Sequence, residues 1–187
     1  MKKTFVCVII GLFCVGISAC VTKEDHTRWE NIEITEEIEN AVHQVIVDLA
    51  DENLINDEYH TVAEEHKIFC AKRNNQKVMV YVVECVRAMS SYTKPEKVSD
   101  MEEYYGTWSI RANILFTVSD EEFICEKVDE GEDGELSEKS FIERFPDEII
   151  SEVESYTDKL LENVSSERTD VENSLNKQIE EYISTLS

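Results

Sequence analysis

The chain has 187 residues, with 18 Lys and Arg against 41 Asp and Glu, a formal net charge of −23. Such a charge repels nucleic-acid phosphates and anionic lipid surfaces, which argues against a nucleic-acid binder and against a domain lying flat on a bilayer. The length suits one domain, and only 5 glycines and 2 prolines favour helices with a compact sheet over an all-β fold.

The first element is not part of that domain. Lys2 and Lys3 precede a run from Thr4 to Ala19 that is apolar apart from Thr4, Ser18 and small glycines. The run falls short of the roughly 20 residues that cross a bilayer core. It has the flanks of an export signal, with positive charge before it and small residues at its end. Ile17-Ser18-Ala19-Cys20 resembles the lipobox read by lipoprotein signal peptidase. The resemblance implies that residues 1–19 are a signal peptide and that Cys20 becomes the mature N-terminus, with diacylglycerol on its sulfur. Two or more acyl chains, palmitate among them, anchor a protein stably where one does not. The expected location is the extracytoplasmic face of the cell membrane. The mature chain then carries 16 Lys and Arg against 41 Asp and Glu, a net −25.

Residues 20–33 read as the lipidated N-terminus and a polar tether, and 34–187 as a single domain. Residues 35–52 are the first helix. Thr35 serves as N-cap, Glu36 and Glu37 suit the positive end of the helix dipole, and Ile38, Ala41, Val42, Val45, Ile46 and Leu49 form one apolar stripe. Asn53 and the Asn56-Asp57 pair end it. His66 to Ala71 and Lys77 to Met89 change to a strand pattern on either side of the polar turn Lys72–Gln76. Both faces of the second strand are apolar, as in a central strand covered on both sides. Residues 90–105, with Pro95, read as a long loop or a hairpin connection with a short helix. Trp108 to Val118 is a third strand with apolar even positions, and Glu122 to Val128 a shorter fourth after a turn at Ser119-Asp120-Glu121. Helices follow from Ser137, from Pro146 and from the cap at Ser165-Ser166. The expected class is α+β: an N-terminal helix, a four-stranded antiparallel meander, and C-terminal helices packed on the sheet.

Two segments carry a family resemblance. Glu65-His66-Lys67-Ile68-Phe69 is followed by Val78-Met79-Val80-Tyr81. Glu132-Asp133-Gly134 is followed by Ser140-Phe141-Ile142 and Phe145-Pro146. Together they resemble an uncharacterised domain of Firmicutes lipoproteins, similar also to a domain beside some antibiotic-sensing membrane regulators of the penicillin-receptor type. Cys70 stands where that family usually has glycine, and Leu136 near an expected tyrosine. The resemblance implies an extracytoplasmic α+β domain and no established activity.

Candidate chemistry is sparse. A hairpin turning at Asn74-Asn75 sets Cys70 opposite Met79 and leaves Cys85 beyond its reach, and in a simple meander the third strand separates Cys125 from Cys85, so buried thiols rather than a disulfide are expected. His60, His66 and Cys70 could be imagined as a metal set, but a strand carries His66 and Cys70 on one face well apart, and tetrahedral convergence fails. His43 on the first helix reads as structural, and His26 lies in the tether. The Asp129–Glu135 loop lacks the ligand spacing of a calcium loop. No Gly-x-Ser-x-Gly, phosphate loop or His-Glu-x-x-His occurs. No metal and no cofactor are therefore expected, and no enzyme. Tyr104 and Tyr105, in a loop before a strand that opens at Trp108, and Trp108 itself are the candidate binding residues. The functional expectation is a lipid-anchored binding or interaction domain. Its partners are the membrane, through Cys20, and an envelope or membrane protein. An envelope hydrolase working through carboxylates and an immunity-type protective lipoprotein are the alternatives.

Overall fold

A computed structural model describes residues 29–52, 58–130, 137–162 and 165–186, with side chains left undescribed at 52, 104–109 and 137–140. Five strands form one antiparallel sheet in the order β1-β2-β3-β4-β5. They are β1 (Glu30–Ile32), β2 (Tyr59–Asn74), β3 (Lys77–Ser91), β4 (Glu102–Ser119) and β5 (Glu122–Asp129). Helix α1 (Glu36–Glu52) lies between β1 and β2 in sequence. Helices α2 (Ser137–Arg144), α3 (Asp147–Leu161) and α4 (Ser166–Thr185) follow β5. The α+β class is as expected, but the sheet is larger than the expected four-stranded meander.

The extra strand is β1, which falls within the expected tether. Glu30, Asn31 and Ile32 pair with Arg73, Lys72 and Ala71. Three residues with one half-buried apolar side chain leave almost no period-2 signal. The central strands are also longer than their apolar runs, at 16, 15 and 18 residues for β2, β3 and β4. Polar residues at Glu64, Glu65 and His66 mask the first half of β2 in the sequence.

The sheet separates two cores. On one face, Val78, Val80 and Val82 of β3 and Ala112, Ile114 and Phe116 of β4 pack under Ile38, Val42, Ile46 and Ala50 of α1. On the other, Met79, Tyr81, Val83 and Cys85 pack against Phe141 of α2, Phe145 between α2 and α3, Val153 and Leu160 of α3, and Leu175 and Ile179 of α4. Strand β3 is thus buried on both faces, as its doubly apolar pattern requires. Tyr81 meets Phe145 edge-on, with ring centroids 5.4 Å apart.

Two expected register details are corrected. The β2–β3 turn falls at Asn75-Gln76, where Asn75 takes φ 55, and a bulge lies between Ile68 and Cys70. Cys70 therefore faces Tyr81 rather than Met79, which lies opposite Lys72. The bulge also turns Phe69 and Cys70 toward the α2–α4 side while Ile68 stays on the α1 side. His66 and Cys70 do not share a face. The helix boundaries match their sequence signals: Pro146 is the N-cap of α3, and the Ser165 hydroxyl caps α4 by accepting from the Arg168 N–H at 3.1 Å.

Candidate functional site

Beside the apolar core on the α1 side of the sheet lies a cluster of acids and histidines. Glu64 and His66 are two residues apart on β2, so they project from the same face. Glu84 lies directly opposite His66 on β3. Glu39 and His43, one turn apart on α1, reach down to meet them.

The cluster is a chain of bonds between helix and strand. His66 Nε2 lies 2.9 Å from Glu39 Oε2, and His66 Nδ1 lies 2.9 Å from Glu64 Oε2. His43 Nδ1 bonds the other oxygen, Glu64 Oε1. Both ring nitrogens of His66 thus face carboxylate oxygens. An ionised carboxylate only accepts, so both nitrogens must donate and the ring is an imidazolium. The side chains of Glu64 and His66 are only 4% and 10% exposed, whereas His43 and Glu39 are half-exposed.

The electrostatics follow from this wiring. Burial works to raise the Glu64 carboxyl, but the hydrogen bonds and charges of His66 and His43 outweigh it and hold Glu64 below the usual carboxylate range. Burial likewise pulls His66 down, yet Glu64 and Glu39 together lift it above the ordinary imidazole value. Glu84 has no such support. It is 4% exposed, and its Oε2 has no hydrogen-bond partner. Burial, reinforced by the negative charges of Glu130 and Glu64 and partly offset by His66, pushes its carboxyl up to about 8. At neutral pH Glu84 therefore holds a proton while Glu64, on the adjacent strand, does not.

Two neighbouring carboxyls held in opposite protonation states have the charge arrangement of an acid–base pair. Here α1 covers them. No group of three or more metal-ligating side chains among the described residues is arranged to hold an ion. His60 approaches Asp51 at 3.7 Å, and Cys70 approaches Asn31 at 3.8 Å, both away from the cluster.

The residues proposed from sequence lie elsewhere. Cys20 falls outside the described residues, as do 131–136 of the acidic loop. Tyr104, Tyr105 and Trp108 belong to β4, as expected for Trp108, whereas Tyr104 and Tyr105 are corrected from a loop to the strand, which opens at Glu102. Tyr105 pairs with Ala88, and register shifts flank it between Ala88 and Met89 and between Glu84 and Val86. Those irregularities break the alternation that would have marked the strand. Asp129, in β5, is engaged by Lys127 and Arg144: burial raises its carboxyl, but these two cations hold it below its ordinary value. No disulfide joins Cys70, Cys85 and Cys125 to one another. Cys85 is buried as expected, but Cys70 is half-buried and Cys125 exposed, because β5 is an edge strand.

The cluster itself was missed. Its signal was present in β3, where Glu84 is the lone carboxylate inside the otherwise apolar run Val78–Val86. A charge in a strand buried on both faces must be neutralised or paired.

A scan against protein-family models and searches of curated proteins and of solved structures find no match to this chain.

Proposed function

We propose that the chain is a lipid-anchored interaction domain on the extracytoplasmic face of the cell membrane. The observation that carries this reading is the N-terminal pattern: Lys2-Lys3, the apolar run to Ala19, and Ile17-Ser18-Ala19-Cys20. A domain whose first strand opens at Glu30 stands close behind an anchor at Cys20. The resemblance to the Firmicutes lipoprotein domain, carried by Glu65–Phe69 and Phe141–Phe145, supports the same setting. No helix among the described residues is long and apolar enough to cross a membrane.

The net negative charge supports a basic partner, a protein of the envelope or the membrane, drawn by long-range attraction. Crosslinking in intact cells followed by detergent extraction tests this. The reading expects one reproducible membrane or envelope partner, lost when Cys20→Ser releases the domain from the bilayer. Recovery of the same partner without the anchor, or of none, counts against it.

One observation favours the hydrolase reading, the Glu64 and Glu84 pair. It requires both carboxyls to meet a substrate, and in this conformation each is 4% exposed. Hydrolytic turnover by the purified chain, abolished by Glu84→Gln, would establish that reading.

A further inference from the structure

Helix α1 is built to be separable. It alone supplies the helical members of its core, through Ile38, Val42, Ile46 and Ala50. The core on the opposite face is closed by α2, α3 and α4 without it. Removing α1 would therefore leave one complete sheet–helix interface in place, the condition for local rather than global opening. Its intrinsic stability is also low. The helix contains no Lys or Arg, and Asp48 and Asp51 lie near its C-terminal end, where the dipole disfavours negative charge.

Its polar attachment runs through the cluster and, nearer its C-terminal end, through Asp51, which His60 of β2 approaches at 3.7 Å. Glu39 and His43 reach from α1; Glu64 and His66 rise from β2; Glu84 rises from β3; and Glu130, just past the end of β5, adds negative charge from that side. On β4, the residue paired with Glu84 is Ile110, which is apolar. With His66 as imidazolium, four carboxyls, at Glu39, Glu64, Glu84 and Glu130, face two histidines. Glu84 Oε2 accepts no hydrogen bond. A second bare negative charge beside Glu64, at a site this deeply buried and with an unpartnered oxygen, is disfavoured in that geometry.

The geometry points to α1 as a proton-latched cover: it closes over the β2–β3 surface with a hydrogen ion on Glu84, and lifts from that surface when the ion is released to solvent. Opening hydrates Glu84, frees Glu39 and His43 from their strand partners, and bares Val80, Val82, Ile114 and Phe116. The latch is closed in mildly acidic surroundings and loosened in alkaline ones. His66 works in the same direction, because losing its proton cancels its attraction to Glu39 and Glu64. An exported domain meets the ambient pH directly, so the device would respond to the medium. It does not depend on the anchor, and its test does not use it.

Amide hydrogen exchange of the full chain, corrected for intrinsic rates, reads the latch. Between pH 5.5 and 8.5 the protection of peptides from 36–52 should fall at least tenfold more than that of peptides from 166–185. Glu84→Gln, which keeps a neutral side chain at every pH, should reduce that excess fall at least threefold. An equal fall in both helices, or an unchanged fall in the variant, would overturn the proposal. Infrared difference spectra of the unmodified chain give a readout independent of any variant. A protonated-carboxyl band present at pH 6.5 and gone by pH 9.5 is expected, and its absence at pH 6.5 overturns the latch.

Discussion

His66 and Glu84 face each other across β2 and β3, yet both ring nitrogens of His66 are turned to other carboxylates. The histidine that could have neutralised Glu84 is committed to Glu64 and Glu39. Glu84 is left to meet burial with a proton, which gives the domain a pH dependence of defined sign. Its raised carboxyl means the folded state binds a proton that the unfolded state gives up. Stability is therefore lost as pH rises from the ordinary 4.5 toward about 8, by up to about 1.4 kcal/mol per pH unit. His66 adds loss above its ordinary 6.5. Glu64 acts oppositely, its contribution being present above 4.5 and lost as pH falls below that value. Urea midpoints should be highest near about pH 5 and decline on both sides. A midpoint that rises between pH 5 and 8 contradicts this.

Glu64 ties two histidines to the sheet from a buried position. Glu64→Ala leaves the His66 ring hydrogen-bonded to Glu39 alone and removes the His43 contact. Breaking a buried pair from one side costs about 3–5 kcal/mol. Equilibrium denaturation at pH 6 measures the loss, and a change below about 1 kcal/mol would show the pair to be solvated.

Gln178 of α4 imitates a neighbouring strand. Its Oε1 accepts from the Glu64 N–H at 3.1 Å, and its Nε2 donates to the Glu64 carbonyl at 2.7 Å. Strand β1 pairs only with Ala71–Arg73, so this side chain satisfies backbone groups that β1 does not reach. Gln178→Leu should cost about 1–3 kcal/mol and accelerate exchange of the Glu64 amide. Unchanged exchange at that amide would mean other groups protect the edge.

The β4–β5 turn holds Asp120 at φ 52 and Glu121 at φ 69. A two-residue turn with both residues left-handed favours glycine at the second position. Glu121→Gly removes the steric cost of a Cβ there, and thermal unfolding should report a gain of about 0.5–1 kcal/mol. A loss instead would indicate that glycine's entropy in the unfolded chain dominates.

Cys70, Cys85 and Cys125, the cysteines among the described residues, should differ in reactivity as they differ in exposure. In the folded chain Cys125 should react readily with an aromatic disulfide reagent. Cys70 should react slowly, because burial pushes its thiol above the ordinary value. Cys85 should react only on unfolding. Peptide mapping after timed quenching gives the order, and early modification of Cys85 would contradict the central position of β3.

Legibility in the sequence tracked burial pattern closely. Helix α1 was readable because its stripe repeats at three and four residues, and β3 because both its parities are apolar. The Ser165 cap and Pro146 act through local chemistry that a linear sequence contains. What was not readable depends on partners distant in the chain. Strand β1 exists only through Ala71–Arg73, and the bulge at Phe69 reverses which side chains share a face. Tyr104 and Tyr105 looked like a loop because β4 is irregular on either side of Tyr105. The acid–histidine cluster was legible only at Glu84, which stands out in its apolar strand, whereas Glu39 and Glu64 look like solvated charges until α1 folds over them.

The account places this domain outside the cell on a lipid, and intact-mass analysis of the protein purified from membranes tests that most directly. The prediction is a chain beginning at Cys20 with a diacylglyceryl adduct, converted to an unprocessed and unlipidated form by Cys20→Ala. A membrane-derived or cytosolic chain that still begins at Met1, or one cleaved elsewhere without lipid, would contradict it.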